Sequence, residues 1–163
     1  MLIPILQSLF ERDLLRLKTE IELYRDESKL WHIEKGIANS AGNLCLHLIG
    51  NLNAFIGAQL GNTGYVRNRE LEFSLKDMPR KELLEKIEAT IEVVNQSLEK
   101  VTDEQLQAEY PIMVFKDKLS TAMFLTHLAT HLTYHLGQIN YHRRLLDAEN
   151  WILLKWWIKL PLH

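Results

Sequence analysis

The residues best suited to chemistry in this sequence are histidines. His127, His131, His135 and His142 recur at steps of four and seven between Ser120 and Ala148, a stretch without proline whose sole glycine is Gly137. At about 100° per residue, these four rings and Gln138 share a sector of roughly 80° on an α-helix. Leu125, Leu128, Leu132, Leu136, Ile139 and Leu146 form an adjoining apolar stripe, so the imidazoles overlap the edge of a core-facing side. Two histidines four apart present their rings about 6 Å from one another and can share one metal ion. His127/His131 and His131/His135 both meet that requirement. His127 and His135 lie about 12 Å apart along the axis, so all three cannot serve one ion. Imidazoles buried without partners cost free energy, so metal, water or mutual hydrogen bonding must satisfy them.

A third ligand has to come from another element, and His47 is the inward-facing histidine of a second helix. Its wheel carries a narrow strip of Asn43, His47, Gly50, Ala54 and Gly57, with Asn51 at the margin and large apolar residues on both sides. A helix apolar on most sides is buried. Glycine within it costs up to about 1 kcal/mol against alanine, so the strip implies space for a neighbouring backbone or a cavity. Cys45, two positions before His47, points about 200° away and cannot join a site with it. Three neutral imidazoles would leave a divalent ion its full charge and an open position. Such an ion lowers the pKa of bound water to about 7 or deprotonates a coordinated thiol. Zn²⁺ suits this donor set, and Ni²⁺ or Fe²⁺ also accept imidazole. Asn51 and Gln138 lie one turn from candidate ligands, where they either orient a ligand or substrate or make ordinary interior hydrogen bonds. His142 is expected to be exposed, and His32 and His163 are read as surface residues.

Four long helical patterns must position these groups. The first runs from about Ile5 to about Arg25 with the stripe Leu6, Phe10, Leu14, Leu17, Ile21 and Tyr24, and no chemistry is expected on its buried side. Asp26 to Asn39 reads as a connection. The second helix is capped by Asn39 or Ser40 and ends near Gly61. Gly61 to Met78 is a long connection in which Arg67 and Arg69 sit among Glu70 and Glu72; surface pairing with these carboxylates is the expected arrangement, and recognition of an anionic cofactor the alternative. Asp77 and Pro79 mark a third helix reaching about Val101, with a seam of Leu84, Ile87, Ile91, Val94, Leu98 and Val101. Thr102 to Gln105 has the form of a capping box. Tyr110 to Phe115 is extended in character and would cross one end of the fold before the fourth helix begins at Ser120. The expectation is an all-α four-helix bundle with long inter-helix connections, in a single domain spanning 1–163, its consecutive helices not necessarily neighbours.

Composition narrows the function classes. The net charge of −2 is spread without a basic face, which argues against nucleic acid. One cysteine permits neither an intrachain disulfide nor a CxxC site. The N-terminal stretch lacks the basic region of a signal peptide, and no apolar run is read as approaching the roughly 20 residues of a bilayer span, so a cytoplasmic protein is expected. The tail carries Trp151, Trp156, Trp157, Ile152, Leu153, Leu154, Ile158 and Leu160, with only Lys155 and Lys159 for polar relief. That surface is too apolar to stand in water and too weakly basic for a membrane-surface helix, and it is expected to help close a homodimer.

The run His131-Leu-Thr-Tyr-His135-Leu-Gly-Gln138 resembles the HxxxHxGQ signature of the DinB/YfiT-like metalloenzyme superfamily. Asn39-Ser40, with His47 seven residues on, is similar to the second-helix pattern of that family, and Gly64 to Phe73 resembles a subfamily of unassigned function. The similarity extends from the first helix through the fourth. It implies a four-helix bundle, often dimeric, with one divalent metal held at His47, His131 and His135, and thus favours the second of the two histidine pairs. It further implies a metal-dependent enzyme acting on a small-molecule substrate, such as a thiol-dependent S-transferase using a low-molecular-weight thiol (bacillithiol, mycothiol or glutathione) or a related hydrolase. The rival is a non-catalytic helical interaction module with structural histidines.

Overall fold

The structure, a computed structural model, describes residues 2–146. The apolar tail and its proposed part in a homodimer lie outside the described residues. The described chain is all-helical, and its sole β-type pairing is an isolated bridge between Glu109 and Ser120. Helix α1 spans Leu2–Glu22. Helix α2 spans Ala41–Leu52 and continues through a π-helical turn, Asn53–Ala58, into a last α turn, Gln59–Gly61. The short α3 (Arg69–Ser74), the long α4 (Arg80–Leu98), the short α5 (Asp103–Gln107) and the long α6 (Thr121–Leu146) complete the order.

The long helices enclose one core. α1 packs against α4 and α6, and α2 packs against the same two, so α1 and α2 stand diagonally although consecutive in the chain. The intervening segment, with a 3₁₀ turn at Glu27–Trp31, is long enough to cross between them. Leu6, Phe10, Leu14, Leu17, Ile21 and Tyr24 of the α1 stripe are all buried. Each such side chain contributes about 1.5–3 kcal/mol on transfer from water. The α1 side also buries two carboxylates that its apolar periodicity does not reveal. Asp13 pairs with Arg12 and accepts from Thr133 of α6 (2.6 Å), while Glu20 binds Arg143 (2.6 Å) and Asn140 (2.8 Å) of α6. The expectation of a chemically silent face on α1 is therefore corrected: these groups fix α1 against α6.

Ser40 caps α2 by accepting the Asn43 N–H, and Thr102 caps α5 in a complete capping box with Gln105. α2 is long and apolar enough to cross a membrane by length and composition, contrary to the expectation from the sequence that no run approaches that length. The reason is burial, because every residue from Ala41 to Leu52 lies inside the protein, its polar strip included. The α4 face is rotated slightly from the expected seam. Leu83 rather than Leu84 is fully buried, together with Ile87, Thr90, Val94, Ser97 and Leu98. Small polar residues sit there because α2 comes close: a Cβ on Gly61 would collide with Ser97. The 61–78 connection is not all loop, since α3 forms within it under an Asn68 cap.

Candidate metal centre

Three imidazoles converge where α2 faces α6. His47 Nε2 lies 3.3 Å from His131 Nε2, which lies 3.1 Å from His135 Nε2. One ligand atom from each of the three falls within 4.8 Å of the others. The i,i+4 spacing on α6 brings His131 and His135 to a common level, and the helix-to-helix packing brings His47 opposite them. His127 is left out of this cluster, with its ring centroid 5.9 Å from that of His131 and packed among aromatic rings.

The outer nitrogens reveal how the rings are set. His135 Nδ1 is 2.7 Å from Gln138 Oε1, an acceptor, so Nδ1 carries the proton and Nε2 presents a lone pair. His47 Nδ1 is 3.0 Å from Glu72 Oε2 and 3.1 Å from Arg67 Nη2. A bare Nδ1 lone pair would be repelled by a carboxylate oxygen 3.0 Å away, so His47 Nδ1–H donates to Glu72, whose two oxygens also accept from Arg67 at 2.6 Å and 2.8 Å. His47 Nε2 then also presents a lone pair to the cluster. His131 Nδ1 is buried and has no hydrogen-bond partner among the described residues. A proton on His131 Nε2 could bridge to only one of its two neighbours well. The donor set therefore fits a cation better than a hydrogen-bonded trio. Ligand nitrogens about 2.0–2.1 Å from a tetrahedral Zn²⁺ stand about 3.3 Å apart, close to the two separations seen. The three histidines could hold one metal ion.

Burial favours the neutral forms of His131 and His135. His131 is pushed down to about 4, first by burial and then by its neighbours His135, His47 and His127 and by Arg67. Burial also lowers His135, against the opposing pull of the Gln138 bond. Glu72 would be raised by burial, but its bonds to Arg67 and His47 outweigh that and hold it below the usual carboxylate value.

Glu72 is the residue of this candidate site whose place beside His47 sequence periodicity missed. It sits on α3, 6 % exposed, in a pair with Arg67 that is itself largely covered, at 17 %. The arginine thus pairs with a carboxylate as expected, but inside the site rather than on the surface. The strip on α2 makes this possible. A Cβ on Gly50 would fall on the Glu72 carboxylate, and Asn43 Nδ2 donates to the carbonyls of Glu72 (3.0 Å) and Leu75 (2.8 Å), tying α3 to α2. At Gly50 the space that the sequence implied is filled by the Glu72 side chain, and beside His47 it opens into a cavity. The signal was present in Asn43, His47 and Gly50 on one face, but nothing local pointed to Glu72 as the occupant.

The remaining candidates divide. Asn51 lines the same cavity, of about 630 Å³, and its buried Oδ1 has no hydrogen-bond partner among the described residues. Arg69 lines the mouth with its guanidinium 5.6 Å from the Phe73 ring centre. Cys45 is buried and away from the cluster, and burial pushes its thiol far up. His142 is a correction: it is buried, not exposed, because Tyr24 Oη (2.6 Å) and the His32 carbonyl (3.0 Å) occupy both ring nitrogens. His32 itself is exposed beside Glu34.

No curated protein and no solved structure matches this chain. A family profile described as "Protein of unknown function (DUF1572)" matches residues 10–157, which include both histidine-bearing helices, and the chain belongs to that family.

Proposed function

We propose that this protein is a divalent-metal-dependent enzyme of the DinB/YfiT-like four-helix-bundle type, with His47, His131 and His135 as ligands and a thiol S-transfer or related hydrolysis as its reaction. The observation that carries the proposal is the convergence of three Nε2 atoms whose partner nitrogens on His47 and His135 are pinned by Glu72 and Gln138. Outer partners of this kind fix ring orientation and raise ligand basicity in metal sites. The HxxxHxGQ run on α6 and the packing of four long helices support the same reading.

A bound divalent ion supplies the charge that turns water or a thiol into a nucleophile near neutral pH. The chain's own groups do the rest. Glu72, locked by Arg67, holds His47 in one tautomer, and Gln138 does the same for His135. Asn51 lines the same cavity one helical turn from His47. The half-open cavity admits a small molecule beside the imidazoles.

The test is metal content. Protein purified without chelator should carry about one divalent ion per chain by mass spectrometry. Alanine at His47, His131 or His135 should abolish it, and His127→Ala should leave it in place. Loss of the ion in His127→Ala with retention in His135→Ala would overturn the ligand set. Absence of any ion, with apo protein melting as wild type does after metal addition, would favour structural histidines.

A further inference from the structure

We infer that the cavity beside the three histidines contains an aromatic subsite, and that the substrate presents an aromatic ring to it. This rests on the metalloenzyme reading above. Phe55, Phe115, Phe124 and His127 form a continuous wall of rings in the cavity that holds the histidine cluster. Phe115 meets His127 edge-on at 4.8 Å between centroids and Phe124 at 6.0 Å; Phe55 meets Phe124 edge-on at 5.4 Å. His127 stacks over Phe124 at 6.1 Å and lies 5.9 Å from His131, so the wall begins beside the central histidine.

The wall is built rather than incidental. Phe124 is buried, with Tyr110 packed against it at 4.1 Å. The Tyr110 hydroxyl donates to the Phe55 carbonyl at 2.6 Å, inside the π-helical turn that departs from the regular course of α2. Such turns are uncommon and recur at functional sites. The outer rim, by contrast, leaves apolar surface uncovered: Val114 and Phe115 line the cavity and are 40 % and 41 % exposed. His127 adds the one polar ring of this wall, and among the described residues its ring nitrogens make no hydrogen bond. A flat apolar group against these rings would cover the exposed faces, edge-to-face or offset as aromatic pairs prefer, with a polar substituent able to meet His127. A cavity of about 630 Å³ has room for a ring and a short chain.

The experiment uses the cobalt(II)-loaded full chain, titrated with phenylmethanethiol, cyclohexylmethanethiol and ethanethiol and read by thiolate-to-cobalt absorption. Phenylmethanethiol should bind about tenfold more tightly than ethanethiol, with the cyclohexyl compound weaker than the phenyl one. Phe115→Ala, a change on an exposed loop, should remove most of that preference while leaving ethanethiol affinity within about twofold, and Phe55→Leu should reduce it in the same direction. Equal wild-type affinity for the phenyl and ethyl thiols, equal affinity for the phenyl and cyclohexyl thiols, or a preference untouched by both substitutions would overturn the inference while leaving the metal site standing. Cobalt that does not bind, or binds equally to His131→Ala, would overturn the metalloenzyme reading and this inference with it.

Discussion

Adding one methyl group at Gly50 tests the site's supporting structure more severely than removing a ligand does. In an ordinary helix Gly→Ala stabilises by up to about 1 kcal/mol. At Gly50 the new Cβ falls on a Glu72 carboxylate oxygen, with the Glu72 Cδ at 2.8 Å, so the carboxylate must leave. It then gives up contacts of 2.6 Å and 2.8 Å to Arg67 and 3.0 Å to His47. Hydrogen bonds to charged groups contribute about 1.5–3 kcal/mol each. Arg67 is 17 % exposed, so water returns part of that loss. The net is a destabilisation of about 2 kcal/mol, or about 4–8 °C in Tm for a chain of this size, despite the better helix former. His47 also loses the acceptor that fixes its tautomer, which should weaken zinc binding about 10–100-fold. Thermal melts of chelator-treated protein and competition against a chromophoric chelator measure the two effects. Gly137→Ala on α6 is the control: open space surrounds its Cβ, so it should be as stable as wild type or up to about 1 kcal/mol more so, with zinc affinity unchanged. A Gly50→Ala protein that melts no lower than wild type and keeps its zinc affinity would refute the placement of Glu72 against α2.

Other outcomes follow from the same structure. Burial holds His142 below its ordinary value, so the unfolded chain takes up that proton first; the stability it contributes is complete above pH about 6.5 and declines as pH falls toward the folded value. Melts of chelator-treated protein should therefore show Tm falling below that pH, and His142→Gln should flatten part of the slope; an unchanged slope would count against it. Tyr24→Phe should cost about 1–3 kcal/mol by leaving His142 Nδ1 without its donor, measured by urea unfolding. Removing one partner of the buried Glu20–Arg143 pair, as in Arg143→Met, should cost about 3–5 kcal/mol, whereas replacing both with apolar residues should cost far less. A single substitution that left the melt unchanged would show the pair to be hydrated.

How much was legible in the sequence can be seen residue by residue. Leu6 through Tyr24 announce a buried helix face because apolar spacing is a local property, and the structure buries each of them. Asn39-Ser40 and Thr102 announce helix starts because capping is confined to one turn, and the structure takes Ser40 as the first cap. The rings of His131 and His135 are neighbours for the same reason, and the polar strip on α2 places His47 on an inward side. Spacing alone could not choose between His127 and His135 as the partner of His131, since both stand one turn away. That choice belongs to the packing of α2 against α6, which sets His47 level with His131 and His135 and leaves His127 among phenylalanines. Glu72, Tyr24 and Glu20 acquire their roles through contacts 25, 118 and 123 residues away in sequence. Periodicity describes which face of a helix is apolar, whereas a buried polar group is defined by the partner it meets. The sequence therefore determined the helices and the histidine-bearing faces, and only the tertiary structure decided which polar groups those faces would meet.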